Sequence, residues 1–164
     1  MDDQLTRLQE ILAEERRLHA ALRDELAREA ALDGRMSSAE LVEIQRRKQQ
    51  WVAAIKEQEV LRMRVVDELA HAWNESDEAL TLRRIAERVD EAHAQTFRDA
   101  HQALVELMEE IRELARKTAA NAQARLKAID ATLSVINDAV KMHPTYSGQG
   151  RLEKRTPTLK HTSA

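Results

Sequence analysis

The sequence has no cysteine, three glycines, two prolines and only 2% aromatic residues among 164 positions. The absence of cysteine excludes disulfides and thiolate metal sites. Few aromatic residues and few turn formers argue against a sheet-rich fold. No segment approaches the ~18 uninterrupted apolar residues of a membrane-spanning helix, and the opening MDDQLTRLQE is unlike a secretory signal. We therefore expect a cytoplasmic protein with no direct membrane insertion.

The charges are nearly balanced, with 26 basic and 29 acidic residues and a formal net charge of −3. A general nucleic-acid binder needs a marked excess of positive charge, so we expect no nucleic-acid partner. Charged residues make up 34% of the chain. The remainder is rich in alanine and leucine, a composition typical of long helices and coiled coils.

Apolar residues at three- and four-residue steps predict helices at about 2–32, 38–73, 78–89 and 93–141. Leucines mark the first helix, at Leu5, Leu8, Leu12, Leu22 and Leu26, with Leu18 and Ile11 beside them. Two long helices joined by a short link should form an antiparallel hairpin. The predicted fold class is all-α: this hairpin and a long C-terminal helix form a three- to four-helix coiled-coil-like bundle over residues 1–141.

Local signals mark the ends of these helices. Asp33-Gly34 predicts a helix end, because glycine readily adopts a left-handed cap. Ser37 and Glu40 fit a capping box, in which each side chain accepts a hydrogen bond from the other residue's backbone N–H. Asn74 or Ser76 is a candidate cap for the helix that follows.

The last helix carries one apolar seam that shifts by one residue near Ala122 and resumes as Leu126, Ile129, Leu133, Ile136 and Val140. The periodicity leaves two interpretations open. The stripe is core of the bundle, or it meets the helix of a partner through the same spacing. A bundle with a loosely held last helix would allow both.

Residues 142–164 differ in composition from the rest. They contain both prolines, two of the three glycines and the single tyrosine, Tyr146. We predict a flexible basic tail. A lone aromatic in a polar tail is either a casual residue or a contact for a partner.

The best enzyme hypothesis for such a chain is a carboxylate-bridged di-iron bundle, which needs two Glu-x-x-His motifs and two further glutamates. Glu68 and His71 supply one motif, but the nearest second copy has Asp90 in place of glutamate before His93. No nucleophile motif or phosphate-binding glycine loop is present. We therefore predict a binding protein that is not an enzyme, with no catalytic, metal or cofactor-binding residues.

Three stretches resemble the FlgN family of flagellar export chaperones. The first is KQQWVAAIKEQEVLR, with Lys48, Glu59 and Arg62 at the positions that match the family. The second comprises the apolar repeats of 104–136 around Asn121, and the third is the segment PTYSGQG, with a Thr-Tyr pair followed by Gly150. Together they cover nearly the whole chain in element order.

The resemblance implies a function. Similar proteins bind the C-terminal helices of hook-associated proteins, prevent their premature assembly and deliver them to the type III export gate and its ATPase complex. Carried over, it makes Tyr146 and Gly150 the candidate contacts with the gate. The candidate client surface is Leu126, Ile129, Leu133, Ile136 and Val140. The alternative is a generic coiled-coil adaptor with an unknown client, and the sequence leaves monomer and dimer open.

Overall fold

The structure is a computed structural model that describes residues 2–32, 35–76 and 80–142, with side chains up to residue 137. Every regular element in these ranges is a helix. The helices are α1 (Asp2–Leu32), α2 (Ser38–Trp73), α3 (Leu82–Ala86) and α4 (Glu91–Met142). The predicted all-α class is therefore confirmed.

The helices α1 and α2 form the predicted antiparallel hairpin, because residues early in α1 face residues late in α2. Arg7 pairs with Glu68 near the open end, whereas Glu29 pairs with Lys48 near the turn. The leucine line predicted for α1 is buried along its whole length, at Leu5, Leu8, Leu12, Leu18, Leu22 and Leu26. Each buried leucine contributes about 1.5–3 kcal/mol relative to an exposed one.

The start of α2 is fixed by the capping box that the sequence predicts. The Glu40 backbone N–H donates to Ser37 Oγ at 3.2 Å, and the Ser37 N–H donates to Glu40 Oε2 at 2.8 Å. These bonds satisfy donors that the first turn of a helix leaves without partners. The predicted helix end at Asp33-Gly34 lies outside the described residues.

The end of α2 corrects one expectation, since Asn74 closes the preceding helix rather than starting the next. Asn74 is in the left-handed region at φ 54° and ψ 42°, which asparagine tolerates better than most residues. The chain then folds back, and the Glu75 N–H donates to the Ala70 carbonyl at 2.9 Å. Ser76, the other candidate cap, precedes α3 by several residues.

The short helix α3 and the start of α4 also differ from the prediction. Thr81 caps α3, which covers only Leu82–Ala86 rather than the predicted 78–89. The α-helix ends at Ala86, with Glu87 as its C-cap. Asp90 then starts α4 by accepting from the Ala92 and His93 N–H groups at 3.0 and 3.1 Å. A capping aspartate stops a helix from running through this point.

One hydrophobic core cluster joins all four helices at the open end of the hairpin. Phe97, the single phenylalanine, is fully buried in this cluster. The other buried members are Leu5, Leu8, Leu12, Val65, Leu69, Ala70, Leu80, Ile85, Ala86 and Ala94. The early part of α4 thus lies against the hairpin, and farther along Arg23 of α1 pairs with Glu110 of α4 at 3.3 Å.

The chain divides into two compact units, residues 1–121 and 122–164. The first contains the hairpin, α3 and the early part of α4. The described part of the second is the last stretch of α4, residues 122–142, which is helical throughout. A single bundle over 1–141 followed by a tail remains a prediction, and residues 143–164 lie outside the described residues.

Candidate functional site

Of the three charged residues that match the family pattern, Lys48 and Arg62 form ion pairs across the hairpin. Arg62 Nε lies 3.0 Å from Glu15 Oε1, and Lys48 Nζ lies 2.5 Å from Glu29 Oε2. The third, Glu59, lies 4.0 Å from Arg62 on the same helix. Lys48 and Arg62 therefore join the two helices of the hairpin, whereas Glu59 contacts only its own helix.

The acidic partners are buried although they carry charge. Glu15, Glu25 and Glu29 are 5–8% exposed, and Arg47 Nε contacts Glu25 Oε1 at 3.0 Å in a third ion pair. The leucine line predicted for α1 does not include these buried acids. The signal was present, because Glu15 and Glu29 each follow a seam leucine by three residues, the step that continues a buried helical stripe.

The candidate client surface is an exposed apolar line on the last part of α4. Its members recur at steps of three, four and three residues, which places them on one face of the helix. Their exposed fractions are 58% at Leu126, 55% at Ile129, 56% at Leu133 and 53% at Ile136. The side chain of Val140, and all of Tyr146 and Gly150, lie outside the described residues.

The helix that carries this line is supported by its own composition. Ala124, Ala128 and Ala131 are strong helix formers on its other faces. Val135 is also exposed, at 69%, but it points away from the line, two residues beyond Leu133. The described second unit therefore presents one continuous apolar stripe flanked by alanine and polar residues.

The histidines and acids considered for a metal site are separated. Glu68 contacts Arg7 on α1, whereas His71 lies 3.5 Å from Asp67 on its own helix. His93 Nδ1 lies 2.5 Å from Asp90 Oδ2 at the start of α4. Within the ranges that the structure describes, no group of three or more histidines and acids is close enough to hold a metal ion.

Shifted pKa values in the described ranges mark helix starts and exposed ion pairs. The backbone and side chain of Ser37 donate to Glu40 and lower the pKa of its carboxyl. At the start of α4, the His93 backbone N–H, followed by its side chain, lowers the pKa of Asp90. Both carboxylates are stabilised in the charged form by capping bonds, which is a structural role.

A shallow groove between α3 and α4 has an apolar floor formed by Ala86 and Phe97. Arg83 and Arg98 line it, but each already has an acidic partner, Glu87 and Glu91 respectively. The groove therefore offers little uncompensated charge to a ligand. In the described ranges, no helix is long and apolar enough to cross a bilayer.

Comparison with known proteins gave one family. The family model described as FlgN protein matches residues 1–154. Searches of the curated proteins and of the solved structures gave no match. The match includes the hairpin with its ion pairs, the exposed line of α4 and the Thr145-Tyr146 segment. The chain therefore belongs to the FlgN family, a family of flagellar export chaperones and not of enzymes.

Proposed function

We propose that this chain binds the C-terminal helical segments of hook-associated proteins in the cytoplasm and delivers them to the flagellar export gate. The exposed apolar line of α4 carries the proposal. Such a line costs free energy in water unless a partner covers it. Membership of the FlgN family supports a flagellar export substrate as that partner.

The client surface in this proposal is Leu126, Ile129, Leu133 and Ile136, with Val140 extending the line by one turn. A client helix with matching apolar spacing would pack along it as a helix pair. The client has to be released at the gate, so moderate affinity is expected. We expect a dissociation constant on the order of 10⁻⁶ to 10⁻⁸ M, equivalent to about −8 to −11 kcal/mol.

The tail supplies the second half of the proposal. Tyr146 and Gly150 are proposed to contact the export gate or its ATPase complex, as the family resemblance implies. Separate elements for client and gate would let the chaperone hold its cargo while it docks. No nucleotide chemistry in the chaperone is needed for this role.

Titration calorimetry of the full chain against the C-terminal segment of a hook-associated protein from the same genome tests the proposal. We expect saturable one-to-one binding in the micromolar range or tighter. The Ile129→Ala/Leu133→Ala double variant should weaken binding by at least about tenfold, since two apolar contacts are truncated. Val135→Ala is the matched control, because Val135 is equally apolar and exposed but lies off the line.

Two results would contradict this assignment in different ways. Equal losses in the double variant and in Val135→Ala would place the client elsewhere. No binding by any hook-associated segment would favour a generic coiled-coil adaptor with another client.

A further inference from the structure

One face of α2 carries a row of exposed side chains outside the hairpin core, which we call the α2 row. Its members are Val52, Lys56, Val60, Met63 and Arg64. Each lies three or four residues from a neighbour in the row, a spacing that places side chains next to each other on one helix face. The row extends about 18 Å along the helix. Within the described residues, its three apolar members have no cover.

The α2 row begins beside an open groove between α1 and α2. Leu22 and Leu26 of α1 form the floor of this groove, Val52 and Lys56 stand on its α2 side, and its volume is about 470 Å³. None of the described residues that line it is acidic. An aliphatic side chain of a partner would therefore find apolar contact in the groove, with a positive charge at its edge.

The two cations of the α2 row lack the acidic partners that other basic residues of α2 have. In the described ranges, neither Lys56 nor Arg64 forms an ion pair or a side-chain hydrogen bond. By contrast, acids pair with Arg46, Arg47, Lys48 and Arg62. Lys56 and Arg64 lie one turn before and one turn after Val60, so two unpaired positive charges flank an exposed apolar residue.

The acids nearest in sequence do not neutralise this pair of cations. Glu59, three residues after Lys56, lies 4.0 Å from Arg62 instead. Glu57 is five residues after Val52, which turns its side chain toward the side of α2 away from the groove. The α2 row therefore keeps a positive charge beside its apolar members.

We propose that the α2 row binds an amphipathic helix of a partner protein that carries acidic residues beside its apolar stripe. Helix pairs make contacts at three- and four-residue steps, and the row offers such steps over about three turns. Two acids of the partner would face Lys56 and Arg64, and an aliphatic side chain between them would cover Val60.

The same two cations select against other helices. A basic helix would place like charges next to Lys56 and Arg64, and a neutral helix would cover them without pairing them. The apolar members of the row supply binding area for any amphipathic helix. The charges therefore decide which class of helix binds, and the acidic class is the one that they favour.

The α2 row shares no residue with the candidate client surface of α4, so this proposal goes beyond the client function and does not rest on it. Binding of an acidic helix is measured with no client present. Failure of this proposal and failure of client binding are therefore separate results.

Two synthetic peptides test the charge requirement in the full chain. The first is a helix-stabilised peptide of about 18 residues with leucine at three- and four-residue steps and glutamate on both flanks. The second has lysine in place of every glutamate. Fluorescence anisotropy of the labelled peptides should show at least about tenfold tighter binding of the acidic peptide. Equal binding of both peptides, or no binding of the acidic one, would overturn the proposal.

Charge reversal places the acidic peptide on the α2 row. The double variant Lys56→Glu/Arg64→Glu should bind the acidic peptide at least about tenfold more weakly and the lysine peptide more tightly, because both attractions become repulsions. Arg112→Glu/Lys117→Glu is the matched control, since it changes the net charge equally at two exposed cations of α4. An equal effect of the control would mean that net charge alone decides, and would overturn the proposal.

The apolar members are tested by a second pair of variants. Val60→Ser/Met63→Ser should weaken binding of the acidic peptide at least about tenfold. Val42→Ser/Val105→Ser, which changes two exposed valines outside the row, should leave it unchanged. Circular dichroism checks that each variant is as helical as the unmodified chain. Equal losses in both double variants would overturn the proposal.

Two further measurements distinguish the acidic helix from other occupants. The Ile129→Ala/Leu133→Ala variant should bind the acidic peptide as the unmodified chain does, and a loss there would assign the peptide to the client surface of α4 and overturn the proposal. Phosphatidylglycerol vesicles should not bind the chain through the row. Vesicle binding that Lys56→Glu/Arg64→Glu abolishes, without peptide binding, would assign the row to an anionic lipid surface instead.

Discussion

Arg62 on α2 donates a hydrogen bond from Nε to Oε1 of Glu15 on α1 across 3.0 Å. The Glu15 side chain is 7% exposed, whereas that of Arg62 is 30% exposed. A buried carboxylate thus depends on a partner that still reaches water. Removal of Arg62 should therefore cost more stability than removal of a surface arginine, because it leaves the Glu15 charge unpaired in the interior.

Arg62→Ala should destabilise the fold more than an ordinary surface substitution. The unpaired Glu15 carboxylate should cost about 1–3 kcal/mol, less than for a fully buried pair because water reaches the vacated position. Urea denaturation followed by circular dichroism measures this loss as a lower midpoint at an unchanged slope.

Two further variants separate the buried pair from charge in general. Arg17→Ala breaks the exposed pair with Glu14 and should leave the urea midpoint nearly unchanged, because water and salt screen an exposed ion pair. The double variant Glu15→Leu/Arg62→Leu should match or exceed the stability of the unmodified chain, because apolar packing often outperforms a buried ion pair. A double variant as unstable as Arg62→Ala would contradict this account.

Phe97→Ala should destabilise the fold strongly, whereas Leu133→Ala should destabilise it little. Phe97 is fully buried and Leu133 is 56% exposed. We expect Phe97→Ala to cost about 3–5 kcal/mol, and Leu133→Ala to cost under about 0.5 kcal/mol. Thermal unfolding measures both. A large loss of stability in Leu133→Ala would mean that the line of α4 is a structural core rather than a binding surface.

The start of α4 should respond to acid through Asp90, whose pKa is lowered from its ordinary 3.8 by the His93 backbone N–H. A lowered pKa in the folded state stabilises the protein above the unfolded value, and this gain is lost as pH falls through the folded pKa. Asp90→Asn keeps a capping side chain without titrating. The stability difference between the two proteins should persist above pH 3.8 and shrink below it. A constant difference would contradict the assignment.

Amide hydrogen exchange should be faster along residues 122–137 than along the buried face of α1. Leu126, Ile129, Leu133 and Ile136 are all more than half exposed in this stretch, so little burial opposes local opening. Addition of a client segment should slow exchange there and leave α1 unchanged. Strong protection that a client does not alter would contradict the proposed binding surface.

Tyr146→Ala should reduce secretion of hook-associated proteins while client affinity stays unchanged. The reason is the proposed separation of the two tasks, with the client on α4 and the gate contact in the tail. Secretion in a strain carrying the variant measures delivery to the gate, and calorimetry on the purified chain measures client binding. Leu152→Ala is a control from the same tail, and normal secretion by Tyr146→Ala would favour the adaptor hypothesis.

Periodicity in the sequence predicted the long helices and the hairpin, because both follow from local spacing. The Leu5 to Leu26 line was expected to be buried and is. The Ser37 capping box was equally readable, since its two partners lie three residues apart. The bounds of α3 were harder to predict, because the apolar periodicity between Thr81 and Asp90 is weak and both residues cap helices there.

The ion pairs of the hairpin could not be assigned from the sequence in the same way. Glu15 and Arg62 are 47 residues apart, and many other acids and bases could have been matched. For α4, spacing identified one apolar face at Leu126 to Ile136 but could not say whether that face is covered. Burial depends on the surrounding chain, which a periodic pattern does not contain.

The ion pairs of the hairpin also favour one register between its two helices. A slip by one heptad, which would keep the leucine line of α1 facing α2, would move Glu15 opposite Ile55 or Leu69. The same slip would move Glu29 opposite Leu41 or Ile55. In every case a buried carboxylate would meet an aliphatic side chain, so misaligned hairpins are penalised by charge even where apolar packing alone would accept them.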